Sequence, residues 1–264
     1  MKIELLNKVL ELDRAYIGTF TNRMDKTWGT IFFNERQPNY YDANHAQISK
    51  AVDDPAGVVQ EVSNFYKEKN IIPRFYNYNQ EDNAALLKKL HRAGFRSEEL
   101  GGLVQLWDNN LSVTPLGEDF SVEEVTDKNL REAIDIEITI KEFGGAIREE
   151  ALKEEKKHPG FTHFLLRYKG VSCSTACIFH EGDQARLESV ATLEEYRGKG
   201  LIGKLIRYIQ QEVHDRGFSH LWVFPISHQV EKVYSRYGFK TLGNINTIHA
   251  FAGGKSIMEI REGK

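Results

Sequence analysis

Cysteine is scarce in this sequence: its 264 residues include only Cys173 and Cys177. They lie four apart in Val171-Ser172-Cys173-Ser174-Thr175-Ala176-Cys177-Ile178-Phe179, a β-branched run that reads as a strand. Same-strand residues at that separation stand too far apart for a disulfide. No nearby Cys/His pair completes a zinc site in the sequence, so no metal is expected and the thiols read as reduced and structural. Proline is sparse too, and no tract is compositionally biased. With 41% hydrophobic and 28% charged residues, a disordered or fibrous chain is excluded. An excess of positive charge is missing, since the formal net charge is −3. A general field for nucleic acid or an anionic membrane is thereby excluded, and any anionic ligand must be recognised locally. No apolar run approaches the roughly 20 residues of a membrane span. The first ten residues interleave charged and apolar side chains at helical spacing, which predicts a helix rather than a signal peptide, and a cytoplasmic protein.

The length suits two compact domains. Helices are expected over about residues 2–20, 55–67 and 83–92, and strands near 28–33, 40–47, 71–78 and 103–107. The turn-forming stretch from Asp108 to Gly117 is the best linker, giving domains at 1–110 and 118–264 joined by 111–117. In the second part, strands are expected over 120–125, 162–168, 171–180, 186–193, 220–224, 239–251 and 255–260. Helices are expected from an N-cap at Asp127 to about 141, over 148–157, after residue 200 and over 228–237. The fold class is therefore α/β with a mixed sheet. Aligning Ala93-Gly94-Phe95-Arg96 with Tyr237-Gly238-Phe239-Lys240 superposes a strand and a helix in each half, which suggests two distant repeats. Glycine is also the usual helix stop, so such junctions arise without common descent.

What is present in the second half is a glycine-rich turn between a strand and a helix, Arg197-Gly198-Lys199-Gly200-Leu201-Ile202-Gly203. Such a turn aims several backbone N–H groups at one phosphate, with the positive end of the helix dipole behind them. The turn lacks the spacing of a P-loop and the second half of a dinucleotide fingerprint. By itself it indicates only phosphate. Val190-Ala191-Thr192 precedes it, and Tyr234-Ser235-Arg236-Tyr237-Gly238-Phe239 follows one strand-helix unit later.

In this combination the region from about residue 118 to 264 resembles the GNAT superfamily of N-acetyltransferases, and the first half resembles a degenerate repeat of it. The family's loop has the form Arg-x-x-Gly-x-Gly, and here Ile202 stands where a small residue is usual, with Gly203 one place later. The resemblance implies a tandem GNAT fold that uses acetyl-CoA as cosubstrate and passes a short acyl group to a primary amine. It implies cofactor contacts at Val190, Ala191, Thr192, Arg197, Gly198, Lys199, Gly200, Leu201, Ile202, Gly203, Ser227 and Tyr234. The main chain of Val190 to Thr192 would pair with the pantetheine arm as an added strand.

Tyr234 would be the acid that protonates the leaving thiolate, or else one member of the apolar stripe Val230, Val233, Tyr234, Tyr237. Glu188 would be the general base, directly or through water, or else a partner for Arg186. Period two would put Glu188 on one face with Val190 and Thr192. His163 and His180 flank the hairpin expected from strands 162–168 and 171–180 across Lys169-Gly170, and Phe143-Gly144-Gly145-Ala146 resembles the family's acceptor-side loop. The first half has no such glycine loop, and Leu90 takes the place of Tyr234. Its aromatics Tyr40, Tyr41, Phe75, Tyr76 and Tyr78 read as core by default, or as the wall of an acceptor pocket or homodimer contact. The rival readings are a non-catalytic acyl-CoA sensor and a transferase using charged tRNA. The second is disfavoured by the missing basic surface.

Overall fold

The computed structural model describes residues 3–78, 83–112 and 116–261. The chain forms two compact units, Leu103–Gly243 and Lys2–Gly102 together with Asn244–Lys264. The division therefore falls elsewhere than in the expected linker, 111–117, of which residues 113–115 lie outside the described residues. It falls inside two long strands, for a reason that the pairing makes clear.

In the unit containing the N-terminal half, α1 (Ile3–Ile17) precedes β1 (Asn22–Lys26), β2 (Gly29–Phe33), β3 (His45–Ile48), α2 (Pro55–Glu68), β4 (Arg74–Asn77) and α3 (Ala84–Arg92). β1, β2 and β3 pair antiparallel in turn, and β3 pairs parallel with β4. In the other unit, β6 (Phe120–Glu124), α4 (Leu130–Glu137), α5 (Ile147–Lys157), β7 (Phe161–Tyr168), β8 (Val171–Glu181) and β9 (Gln184–Thr192) are followed by α6 (Leu201–Asp215), β10 (His220–Val223) and α7 (His228–Ser235). β6 to β9 pair antiparallel in order, and β9 pairs parallel with β10. Each unit thus has an antiparallel run ending in a parallel pair bridged by a helix, as a parallel crossover requires.

The long strands β5 (Arg96–Trp107) and β11 (Phe239–Phe251) follow α3 and α7. Residues 105–106 of β5 pair antiparallel with β10, while Ile248 to Phe251 of β11 pair antiparallel with β4. Each half therefore contributes the end of its last strand to the sheet of the other unit. The aligned glycines sit at the same step of both halves, Gly94 at φ 84° after α3 and Gly238 at φ 81° after α7.

Local chemistry explains most element limits. Pro55 occupies the first turn of α2, and Asp54 accepts a hydrogen bond from the Gly57 N–H at 3.0 Å, a cap that starts the helix. On α6, Leu201, Leu205, Ile206, Ile209 and Val213 are buried on one face, against Phe164, Ile178, Leu187 and Leu221. Each such side chain contributes about 1.5–3 kcal/mol through burial. Phe75 and Tyr76 are buried, so their default core reading holds, whereas Tyr40 is exposed.

Four expectations change. The strand expected over 40–47 begins only at His45, and Tyr41–Ala43 form a 3-10 turn. β1 was not expected, because Asn22-Arg23-Met24-Asp25-Lys26 has no apolar alternation. It pairs only with β2 among the described residues and is largely solvated, so burial leaves no signature in it. The segment expected as a strand over 255–260 forms a short helix, α8 (Ile257–Arg261). Its cause is a capping box: the Ser256 N–H donates to Glu259 Oε2 at 2.6 Å and the Glu259 N–H to Ser256 Oγ at 3.0 Å. The helix expected from an Asp127 cap begins instead after Asn129, whose Oδ1 accepts from the Thr126 N–H at 2.6 Å. None of the described helices is long and apolar enough to cross a membrane.

Candidate acyl-transfer site

The parallel pair β9 and β10 is joined only from Gln184↔His220 to Leu187↔Val223. Beyond Leu187, residues 188–192 have no strand partner on the β10 side among the described residues; the Ala191 and Thr192 carbonyls accept from the side chains of Ser174 and Arg197, which leaves the main chain at Glu188 to Val190 without a strand on that side. The carboxyl ends of parallel strands in a crossover are also where the following helices begin, and such a crevice is a natural ligand site.

On its other edge β9 is irregular. Ala191 lies opposite Thr175 and Glu188 opposite Cys177, so Ser189 and Val190 together face the single residue Ala176. This is a β-bulge, and Ser189 takes φ 50°, a region costly for a residue with a Cβ. The bulge corrects the expectation that Glu188, Val190 and Thr192 share a face by simple alternation. One extra residue breaks the period between Glu188 and Val190, which no hydrophobic pattern could disclose.

The loop after β9 ends in Gly200 at φ 74°, the N-terminal boundary of α6, with no side chain capping the helix. The helix therefore starts with unsatisfied N–H groups. A Cβ at Gly200 would meet no atom within 4 Å. Arg197 and Lys199 are exposed. Arg197 Nε donates to the Thr192 carbonyl at 3.2 Å, and Lys199 Nζ lies 4.7 Å from the Tyr196 ring centroid. The equivalent helix of the other half, α2, differs in the feature that matters: the Asp54 carboxylate already occupies its N-terminus. An anion there would meet a negative charge and a used donor.

Ile202 is half-buried and packs against the core cluster, so the unusual residue of the loop turns inward. Gly203 serves close packing, since a Cβ there would stand 2.0 Å from Tyr237 Oη and 2.4 Å from Cζ. Gly203→Ala must therefore displace the Tyr237 ring, with an expected loss of about 1–3 kcal/mol of stability. Chemical denaturation checks this, and the double variant with Tyr237→Ala should recover part of the loss.

Tyr234 is 7% exposed and its ring meets Phe239 edge-on, with centroids 5.6 Å apart. Burial raises its phenol above the ordinary value, and the negative charge of Glu188 raises it further. The two residues expected to do the chemistry are therefore electrostatic neighbours. Glu188 is itself ion-paired with Arg186, whose guanidinium lies 4.6 Å from the Phe224 ring centroid. Ser227 is exposed and caps α7, accepting from the Val230 N–H at 3.3 Å.

The histidines do not join this group. His180 stacks obliquely on Phe218. His163 stands directly opposite Cys177 in the β7–β8 register, a pairing that sequence spacing did not disclose. Together with Glu155 it brings three potential ligand atoms within 4.8 Å of one another. Arg148 donates to both Glu155 oxygens, at 2.6 and 2.7 Å, and burial pushes His163 down to about 3. Sequence reasoning missed Arg148 and Ser189, which have no motif.

The model of the acetyltransferase (GNAT) family matches residues 130–239. This segment is a GNAT domain. Among solved structures, the whole chain is similar to a GCN5-related N-acetyltransferase from Kribbella flavida, at 15% identity and a TM-score of 0.66 over 96% of this chain and 97% of that one. A functionally unknown conserved protein from Staphylococcus epidermidis ATCC 12228 is also similar, at 15% identity and 0.61 over 88% and 94% of the two chains. A tandem GNAT protein from the clavulanic acid biosynthesis pathway follows at 12% identity and 0.52, over 80% and 76%. At these identities the likeness is one of fold. It supports a second, GNAT-like part in the N-terminal half beside the GNAT domain. No curated protein matches the sequence.

Proposed function

We propose that the GNAT domain transfers an acetyl group from acetyl-CoA to a primary amine. The observation that supports this reading is that β9 loses its β10 partner after Leu187, so that Glu188 and Val190 stand on an edge without a strand partner shortly before the start of α6 at Gly200, which no side chain caps. The pyrophosphate would rest on the N–H groups of Gly198, Gly200, Leu201 and Ile202, with Arg197 and Lys199 supplying charge. The pantetheine arm would lie along Val190, Ala191 and Thr192 as an added strand, and the Ser227 hydroxyl would donate a hydrogen bond to it.

Glu188, through a water, takes one proton from the substrate ammonium; the free amine then attacks the thioester carbonyl carbon, and the proton left on nitrogen after attack passes to solvent. A main-chain N–H of the open strand steadies the developing oxyanion. As the tetrahedral intermediate collapses, the C–S bond breaks and Tyr234 donates its proton to the sulfur. Burial and the Glu188 charge keep the phenol protonated until that step.

Release of free thiol from acetyl-CoA by the purified full chain, over a panel of amines, tests the reading. Glu188→Gln is expected to lower kcat/KM about 100-fold at neutral pH. The deficit should shrink at alkaline pH, where free amine no longer has to be generated. A deficit of constant size across pH would remove the base role from Glu188. The Arg186–Glu188 ion pair favours one rival, a sensor that binds acyl-CoA without turnover. Tight binding with no thiol release from any amine would support it.

A further inference from the structure

Arg148 on α5 is a buried guanidinium in the GNAT domain with an unusual distribution of bonds. Its side chain is 8% exposed. Nε donates to Glu137 Oε2 of α4 at 2.5 Å, Nη1 and Nη2 to the two oxygens of Glu155, and Nη2 also to Ser189 Oγ at 3.2 Å. Its Cζ lies 5.9 Å from the ring centroid of Phe143, in the loop between α4 and α5. Burial opposes the charge on Arg148, but Glu155 and Glu137 outweigh it and keep the group cationic.

Stability alone is a poor account of this arrangement. Buried ion triads can often be replaced by apolar side chains of similar volume with little loss. What an apolar side chain could not supply is the fourth bond, to Ser189, the residue of the bulge with φ 50°. A residue in that region persists only when its surroundings hold it there. The planar fork of arginine can serve two carboxylates and a hydroxyl at once, and a lysine ammonium cannot.

Building on the proposed acetyl transfer, we propose that Arg148 is a positioning residue. By its bond to Ser189 it locks the β9 bulge, and thereby sets the placement of Glu188. Arg148 touches neither substrate. Its contact with Phe143 ties the α4–α5 loop to the same lock, so that the segment resembling the acceptor side and the base are held by one side chain.

Arg148→Met would leave two buried carboxylates uncompensated and could fail to fold, so the decisive variant is Ser189→Ala, which removes only the hydroxyl. The experiment measures thiol-release kinetics with acetyl-CoA and an accepted amine, together with backbone hydrogen exchange, on the full chain. Ser189→Ala is expected to lower kcat about tenfold with an unchanged thermal midpoint, and to speed exchange at residues 188–190 about tenfold without changing α6. In a Glu188→Gln background the same substitution should have no further effect on kcat. Arg148→Lys should fold but show the same kinetic defect as Ser189→Ala.

Wild-type kcat and wild-type exchange in Ser189→Ala would overturn the proposal. So would a full tenfold loss in the Glu188→Gln background, because Ser189 would then act by another route. If the wild type binds acetyl-CoA and turns over no amine, the acetyl-transfer reading falls instead. Exchange at 188–190 still decides whether the lock exists.

Discussion

Gly200→Glu is expected to weaken acetyl-CoA binding by at least about 100-fold, measured by titration calorimetry on the full chain. The reason lies in how the two effects of the substitution divide. Gly200 has φ 74°, so any side chain costs about 1–2 kcal/mol of backbone strain. That strain is present in free and bound protein alike and should appear as a lower thermal midpoint, not as lost affinity. The charge acts only in the complex. A Cβ at Gly200 points into open space with no atom within 4 Å, the space assigned to the pyrophosphate. A carboxylate there would face like charge at an otherwise uncapped helix end, and a 100-fold loss corresponds to about 2.8 kcal/mol, within the range of close charge pairs near a protein surface. Gly200→Ala is the control, with the same strain and no charge, and should lose less than about tenfold. Equal affinity of Gly200→Glu and wild type would remove the cofactor from this loop.

The second large effect is expected at Tyr234. Tyr234→Phe keeps the ring that packs on Phe239 and removes only the hydroxyl, so the thermal midpoint should change little. If the hydroxyl protonates the leaving thiolate, kcat should fall about 100- to 1,000-fold. Because burial and Glu188 raise the phenol above its ordinary value, the wild type should show no loss of kcat/KM from phenol ionisation below about pH 10. The sign of the coupling gives a further check in the same measurement. Removing the Glu188 charge removes one cause of the raised value, so in Glu188→Gln any alkaline limb should move to lower pH. A rate for Tyr234→Phe equal to wild type at every pH would return Tyr234 to the role of a core aromatic. Both its burial and its place in the Val230 stripe also fit that role.

The legible parts of this protein are those written in periodicity and local chemistry. The apolar stripe of α6, the start of α2 at about Pro55, the hairpin across Lys169-Gly170 and the glycine turn before α6 follow from residues close in the chain. The repeat was legible at Gly94 and Gly238, because a helix stop with positive φ is marked by glycine. The solvated edge strand β1 was not legible, because strand patterning records burial and it has little. The helix α8 carried a local signature in Ser256 and Glu259, and the apolar residues between them suggested a strand instead.

Sequence alone determined the mixed α/β class, the order of most elements and the GNAT resemblance, from which Glu188 and Tyr234 were proposed. Each rests on residue type at fixed chain spacing, which short-range sterics and hydrogen bonding translate directly into helices, strands and turns. Tertiary structure alone decided that the ends of β5 and β11 belong to the opposite units, since strand partners are chosen by contacts between residues far apart in the chain. It also decided the bulge at Ser189, the burial of Tyr234 beside the charge of Glu188, and the meeting of Arg148 with Glu137, Glu155 and Ser189. These are relations between distant segments, and the energies that set them appear only once the segments pack together.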